Sequence, residues 1–498
     1  MENVFRGMLQ RIVVSIAILC MSACASAPWN EPLTTVSAES RLTNALTTGG
    51  YRLPGLSSGK MSPKLLVALG FSGGGKRSAA FSYGALRGLR DLTIVIGNEP
   101  RPLLDEVSII ASVSGGSFTA AYYGLYREKT FVTFERDFLR QDVESHIWGL
   151  YLLPWNWGWM ASADYSTSDA MAELYDRLMF HGATYAELMS RGTPLISINA
   201  TDINYSSVFA FTQNQFDLIC SDLLSFSVAR AVAASNAFPV LFSPITLRNH
   251  TTRCGGRRPF WLEQAAKRPD PLSRERLRAS EVERYLDPER TKYVHLMDGG
   301  IADNLAMRGI NDYFMIFRQN ADLLRSAAAS GLRHVLLISI DGEASQDKSW
   351  ALQRSVSGLS QILAAVSGTQ IDRYNFETLI VAREQLRELT SAIRDTRCKI
   401  GPVIDGFPCE DVRSYFLHLS IADVGDAALR ERLQSIPTGL TIPDADIDLL
   451  IEQGGALIRS SEVLSEFRAS LADDGARAAE RSSATRRVTP QLRGFTSR

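Results

Sequence analysis

Short runs of aliphatic and β-branched residues recur along this chain at Leu65–Leu69, Val107–Ala111, Leu195–Ala200, Tyr293–Met297, Val335–Ile340 and Ser414–Leu419. Apolar runs of this length, closed by Gly or polar residues, predict strands, and the helical patterning between them predicts an α/β fold with a mostly parallel central sheet flanked by helices. Two of the helices carry small residues at i, i+4 and i+8, namely Ala80, Gly84 and Gly88 in one and Gly116, Ala120 and Gly124 in the other. That spacing puts the small residues on one face, which would let each helix sit close to a sheet. Trp350 to Arg397 reads as mainly helical, and another helix is expected near Asp444–Ser470.

Polar stretches set the expected boundaries. Residues 249–292 are rich in Arg and Glu, with Pro259, Pro269, Pro271 and Pro288, and read as a charged surface insertion. Residues 471–498 are polar and basic, which predicts a disordered tail. Pro28, Pro32 and Pro54 with nearby Ser and Gly make residues 24–60 a tether, leaving 61–470 as the catalytic body. At 498 residues and 45% hydrophobic, the chain can bury a large core. Its 53 basic and 54 acidic side chains leave a net charge of -1, which supplies no field for gathering nucleic acid.

Arg6 and Arg11 precede an apolar run from Ile12 to Met21 and then small residues, the layout of an export signal over residues 1–23. Met21-Ser-Ala-Cys24 is similar to a bacterial lipobox, so Cys24 is expected to be acylated and to become the first mature residue. Ala25 after it resembles the outer-membrane sorting pattern, which points to an envelope lipoprotein. Cleavage after Ala25-Ser-Ala27 is the rival, and an uncleaved anchor a third reading, although the strongly apolar part is about half of the roughly 20 residues that a span needs. Export would favour disulfides among the four remaining cysteines. The short separation of Cys398 and Cys409 makes that pair the first expectation and Cys220 with Cys254 the second; four free thiols are the alternative. No Cys or His spacing reads as a zinc site.

Three glycine-bearing segments each follow a strand-like run: Gly70-Phe-Ser-Gly-Gly-Gly-Lys-Arg77, Ser112-Val-Ser-Gly-Gly116 and Asp298-Gly-Gly300. The middle one reads as a nucleophile elbow with Ser114 at its tip. In the first, Gly73, Gly74 and Gly75 can turn backbone N–H groups toward a developing oxyanion, and the third offers Asp298 as base. Gly70, Gly75 and Lys76 also nearly spell a phosphate loop, but Arg77 stands where Ser or Thr would hold magnesium. Asp341-Gly342 is a rival base, and His295, His334 and His418 are the histidines that a triad would have to draw on. Trp148, Trp155, Trp157 and Trp159 crowd twelve residues, either as core or as a lipid-facing flap.

The order and wording of these segments resemble the patatin-like phospholipase family, and so do Asn199-Ala-Thr-Asp-Ile203, Ala229-Arg-Ala-Val-Ala-Ala-Ser-Asn-Ala-Phe-Pro239, Asp298-Gly-Gly-Ile-Ala-Asp-Asn304 and Ile436-Pro-Thr-Gly-Leu440. The likeness spans roughly residues 60 to 460. It implies a patatin-like three-layer fold, a Ser114–Asp298 dyad, an oxyanion loop of Gly73, Gly74, Gly75 and Arg77, and hydrolysis of phospholipid or lysophospholipid esters without metal or cofactor. An acyltransferase or thioesterase with the same dyad, or a silent lipid-binding envelope lipoprotein, are the alternatives. Two positions depart from the family pattern: Ser112 replaces the first elbow glycine, and Ser78 stands where many members carry glycine.

Overall fold

The structure, a computed structural model, describes residues 27–34, 49–56, 59, 61–97, 99–152, 165–239, 241–255, 258–342, 354 and 359–488. Its main sheet has eight strands: β1 Leu65–Phe71, β2 Val107–Val113, β3 Leu195–Asp202, β4 Ser207–Ala210, β5 Ile245–Arg248, β6 Tyr293–Met297, β7 His334–Asp341 and β8 Arg413–Ser420. Their order is β8-β7-β1-β2-β3-β6-β5, with β4 paired to β3. The five strands from β8 to β3 run parallel. Strand β6 is antiparallel to β3, with Thr201 opposite Met297, so the strand that delivers Asp298 runs against the parallel set.

Helix α1 (Gly75–Asp91) follows β1, and α2 (Gly115–Tyr126) follows β2. After them come α3 (Val143–Leu152), α4 (Val228–Ser235), α5 (Met307–Gln319), α6 (Leu359–Ile400), α7 (Asp444–Ser460) and α8 (Glu462–Val488). Adjacent residues of β1 face opposite layers. A Cβ on Gly70 would meet Met307 at the start of α5, whereas a Cβ on Gly116 of α2 would come within 2.7 Å of the Cβ of Phe71. The small-residue face of α1 packs on α7, where a Cβ on Gly84 would come within 2.1 Å of the Ile451 carbonyl. Any side chain there would push the two helices apart.

Parts of the expected tether are built into the body. Tyr51 is fully buried and its hydroxyl accepts from Ile196 N–H at 2.8 Å, Arg52 pairs with Asp217 at 2.7 Å, and Leu33 packs against Cys220 and Cys254. Asn30 donates to Ser221 Oγ and the Arg248 carbonyl, both at 2.9 Å, and accepts from Arg248 N–H. Apolar burial and satisfied polar groups together outweigh a linker-like composition. Cys220 is bonded to Cys254, and Cys398 to Cys409.

The polar C-terminus is a second departure. Helix α8 extends to Val488, and its first half is anchored by buried Leu464, Phe467 and Leu471 and by Asp474 bonding Arg333 and His334. The charged stretch 249–292 is not a purely surface insertion, because Trp261, Leu262, Val282 and Tyr285 are buried in the main core. Tyr285 donates to Asp202 Oδ2 at 2.7 Å.

Candidate active site

Strand β2 ends at Val113 and α2 begins at Gly115, so Ser114 occupies the turn between them with φ 49° and ψ -120°. A positive φ is costly for a residue with a Cβ, and such strain persists only where the surroundings enforce it. Here they do. A Cβ on Gly115 would lie 1.9 Å from the Gly75 carbonyl oxygen, so the elbow and the glycine loop are in backbone contact. Ser114 N–H donates to Ser235 Oγ at 2.9 Å, and Ser235 in turn donates to the Asn199 carbonyl at 2.7 Å. Ser112 fits the turn because its hydroxyl accepts from Ser117 Oγ at 3.1 Å.

Ser114 Oγ lies 2.8 Å from Asp298 Oδ2 and 3.1 Å from Asn236 Oδ1. Asn236 is fixed by its amide donating to Tyr175 OH at 3.1 Å. Asp298 is buried and, among the described residues, has no cation as a partner. Its Oδ1 accepts from Gly300 N–H at 2.8 Å, and its carbonyl accepts from Thr201 Oγ1 at 2.8 Å. Burial pushes its carboxyl up to about 6, while the Gly300 N–H and the Ser114 hydroxyl pull the other way.

The glycine loop divides its labour differently from the sequence expectation. Gly74 and Gly75 have φ of 127° and 60°, and their N–H groups make no hydrogen bond among the described residues. The same holds for Gly115 N–H at the first position of α2. Gly73 N–H is committed to the Asn304 carbonyl at 2.9 Å, so it is not a free donor. Nor does Arg77 face a substrate. It is fully buried, and its guanidinium donates to the Gly342 carbonyl at 2.7 Å, the Ile436 carbonyl at 2.5 Å and Thr438 Oγ1 at 3.0 Å. Ser78, the other departure from the family pattern, uses its hydroxyl to hold the loop by donating to the Ser72 carbonyl at 2.6 Å.

None of the histidines proposed for a triad bonds Ser114. His295 contacts Thr246, His334 contacts Asp474 and His418 contacts Ser339. Asp341 ends β7 opposite Ser420 and is not a partner of Ser114 Oγ. Trp148 is exposed on α3, and Tyr151 OH of the same helix donates to the Leu241 carbonyl. Leu152, Phe238, Leu241 and Ile301 are further exposed apolar side chains on α3 and on the segments that follow Asn236 and Asp298. Trp155, Trp157, Trp159 and Cys24 lie outside the described residues.

A hydroxyl on a strained strand-to-helix turn, a buried carboxylate against it and unpartnered N–H groups alongside form an arrangement suited to acyl transfer. Residues 69–309 match the family model described as patatin-like phospholipase, and the chain therefore carries a patatin-like phospholipase domain that contains both Ser114 and Asp298. Among solved structures, human GIVD cytosolic phospholipase A2 is similar over 83% of this chain and 61% of its own, with 13% identity and a TM-score of 0.36. The same protein in complex with methyl gamma-linolenyl fluorophosphonate matches at 12% identity, a TM-score of 0.33, and coverage of 84% and 60%. This chain thus spans about three fifths of the length of those relatives. No curated protein matches it. Among the described residues no group of three His, Cys, Asp or Glu side chains is placed to hold a metal, and no helix is long and apolar enough to cross a membrane.

Sequence reasoning singled out Ser114 and Asp298 but assigned nothing to Ser235, Asn236 or Tyr175. The signal for the first two lay in the 229–239 run, where a Ser-Asn pair ends a helix. Tyr175 left none.

Proposed function

We propose that the protein hydrolyses acyl esters of phospholipids or lysophospholipids through a Ser114–Asp298 dyad. The observation that supports this most directly is the 2.8 Å contact between Ser114 Oγ and a buried Asp298 carboxylate that meets no cation among the described residues. As Ser114 Oγ attacks the ester carbonyl carbon, its proton passes to Asp298. The carbonyl oxygen becomes an oxyanion facing the N–H groups of Gly74, Gly75 and Gly115. Collapse breaks the ester C–O bond, the proton on Asp298 goes to the leaving alcohol, and acyl-Ser114 remains. Water then attacks the acyl-serine, gives a proton to Asp298 and releases the fatty acid, with that proton returning to Ser114 Oγ. A carboxyl held near 6 is a usable base at neutral pH.

The exposed Trp148, Leu152, Phe238, Leu241 and Ile301 suit the acyl chains of such substrates. Acylation at Cys24 would hold the enzyme at a membrane of the cell envelope, as the export-type N-terminus suggests; intact mass of membrane-extracted protein tests it, and an uncleaved chain or an N-terminus at Pro28 would refute it. For the reaction, purified protein is incubated with diacyl and lysophospholipid and the products are resolved by mass spectrometry. Free fatty acid released by the wild type and not by Ser114→Ala is the expected result. Equal release by both would overturn the reading.

A further inference from the structure

Between the start of α3 and the glycine loop runs Ile436-Pro-Thr-Gly-Leu-Thr441, a segment to which the reaction above gives no part. On the loop side it meets Gly75, Lys76 and Arg77, which belong to or follow the run that carries the unpartnered N–H groups. Lys76 N–H donates to the Gly439 carbonyl at 2.8 Å, and Arg77 reaches Ile436 and Thr438. The fit is tight, since a Cβ on Gly75 would lie 2.4 Å from the same Gly439 carbonyl oxygen. Moving Gly439 therefore moves Gly75.

On its other side the segment is held by the start of α3. Glu144 Oε1 accepts from Leu440 N–H at 2.8 Å and Thr441 N–H at 3.3 Å, while Glu144 N–H donates to Thr441 Oγ1 at 3.2 Å. Thr441 Oγ1 also donates to Asp142 Oδ1 at 3.0 Å. A Cβ on Gly439 would come within 2.6 Å of Glu144 Oε1, so only glycine lets the carboxylate reach both N–H groups. Lys76 closes the circuit: its buried ammonium donates to the Gln141 carbonyl at 2.5 Å and lies over the Phe138 ring.

Resting on the dyad reading above, we infer that Glu144 is a positioning residue for the oxyanion loop, acting through the 436–441 segment. The carboxylate fixes two successive backbone N–H groups, which fixes the Gly439 carbonyl, and that carbonyl sets the direction of the Lys76 N–H and of Gly75 before it. The same glutamate sits on the helix that carries exposed Trp148 and Leu152, so displacement of α3 at a lipid surface is transmitted to the loop.

The test compares wild type, Glu144→Ala, Glu144→Gln and Thr441→Val on a soluble chromogenic ester, with each preparation normalised by titration of the reactive serine with an alkyl fluorophosphonate. A misplaced donor costs about ten- to a hundredfold. Glu144→Ala is therefore expected to lose about tenfold or more in kcat per titrated serine, with KM nearly unchanged and the phosphonate inactivation rate falling in parallel. Glu144→Gln, which keeps an acceptor oxygen, and Thr441→Val should fall between it and wild type. The acid limb of the pH profile should stay in place in all of them. A purely structural role would reduce the titratable fraction and the melting temperature and leave kcat per serine at the wild-type value, and that result overturns the inference. If Glu144→Ala does not fold, wild-type kcat per serine in both Glu144→Gln and Thr441→Val overturns it instead. If Ser114→Ala still turns over the ester, the dyad reading itself has failed, whatever Glu144 does.

Discussion

Toward one edge of the sheet Asp298 is buried, and among the described residues its carboxylate meets only a serine hydroxyl and a backbone N–H, whereas at the amino end of β7 five ionisable groups are set together around buried Arg333 and His334. There Arg333 pairs with Asp411 at 2.5 Å and with Asp474, Arg413 pairs with Asp411 at 3.1 Å, and His334 Nε2 lies 2.7 Å from Asp474 Oδ2. Arg333 also stacks over Phe407 at 3.5 Å. Both places remove charge from water, but only the second supplies opposite charge in return. The uncompensated carboxylate rises to about 6 and can accept a proton. At the compensated end, burial next to Arg333 and Arg413 holds His334 down at about 3, so its imidazole is neutral and its Nε2–H donates to Asp474. Unbalanced burial raises a carboxyl toward neutral pH, and balanced burial clamps the C-terminal helix.

The comparison breaks most visibly at the dyad. Ser114→Ala and Asp298→Asn should each lower kcat/KM by on the order of 10⁴-fold, and the double variant should be little worse than either because nucleophile and base act as one unit. Additive losses would mean that they act separately. His295→Gln and His418→Gln should keep a substantial rate, and one folded histidine variant as inactive as Ser114→Ala would reassign the base.

Removing charge at the two ends should change stability in opposite directions. Asp474→Asn leaves Arg333 under-compensated and should cost about 3 kcal/mol in denaturant unfolding at neutral pH. For Asp298 the folded-state pKa lies above its ordinary value of 3.8, so its contribution to stability is full below that value and is lost as pH rises through about 6. Asp298→Asn should therefore gain on wild type by about 2 kcal/mol between pH 4 and pH 7 while losing activity. His334 has the reverse sign: its folded-state pKa lies below 6.5, so its contribution is present above 6.5 and fades as pH falls toward about 3. If both ends respond to pH in the same sense, the contrast is wrong.

Within the site, Gly74→Val should lower turnover by about a hundredfold in a folded protein, through the loss of one oxyanion donor. Its Cβ would lie 3.1 Å from the Gly342 carbonyl at a φ that side chains rarely adopt. The same base implies an acid limb in kcat/KM centred near pH 6. A limb at 4 would show that Asp298 is solvated during turnover. The smallest effect is at the rim, where Trp148→Ser should reduce activity on phospholipid vesicles severalfold more than on a soluble ester. Equal losses on both substrates, with a lower melting temperature, would place the ring in packing instead.

Strand positions, the glycine segments and Ser114 and Asp298 as candidates were legible in the sequence because each is written locally. An apolar run is a strand by its own composition, and Ser114 sits between a strand and a small-residue helix whatever the rest of the chain does. The antiparallel sense of β6, and with it the direction from which Asp298 approaches, depended on how a strand 184 residues beyond the serine entered the sheet. Asn236, Ser235 and Tyr175 became site residues only when α4 was laid beside the elbow. Gly73 and Arg77 lost their expected roles to backbone partners at Asn304, Gly342 and Ile436, which local pattern does not reveal. The tether that packs and the tail that stays helical have the same cause. Composition sets what a segment can do alone, whereas burial of Tyr51, Leu33 and Phe467 and pairing of Asp474 come from surfaces that exist only after the chain has folded.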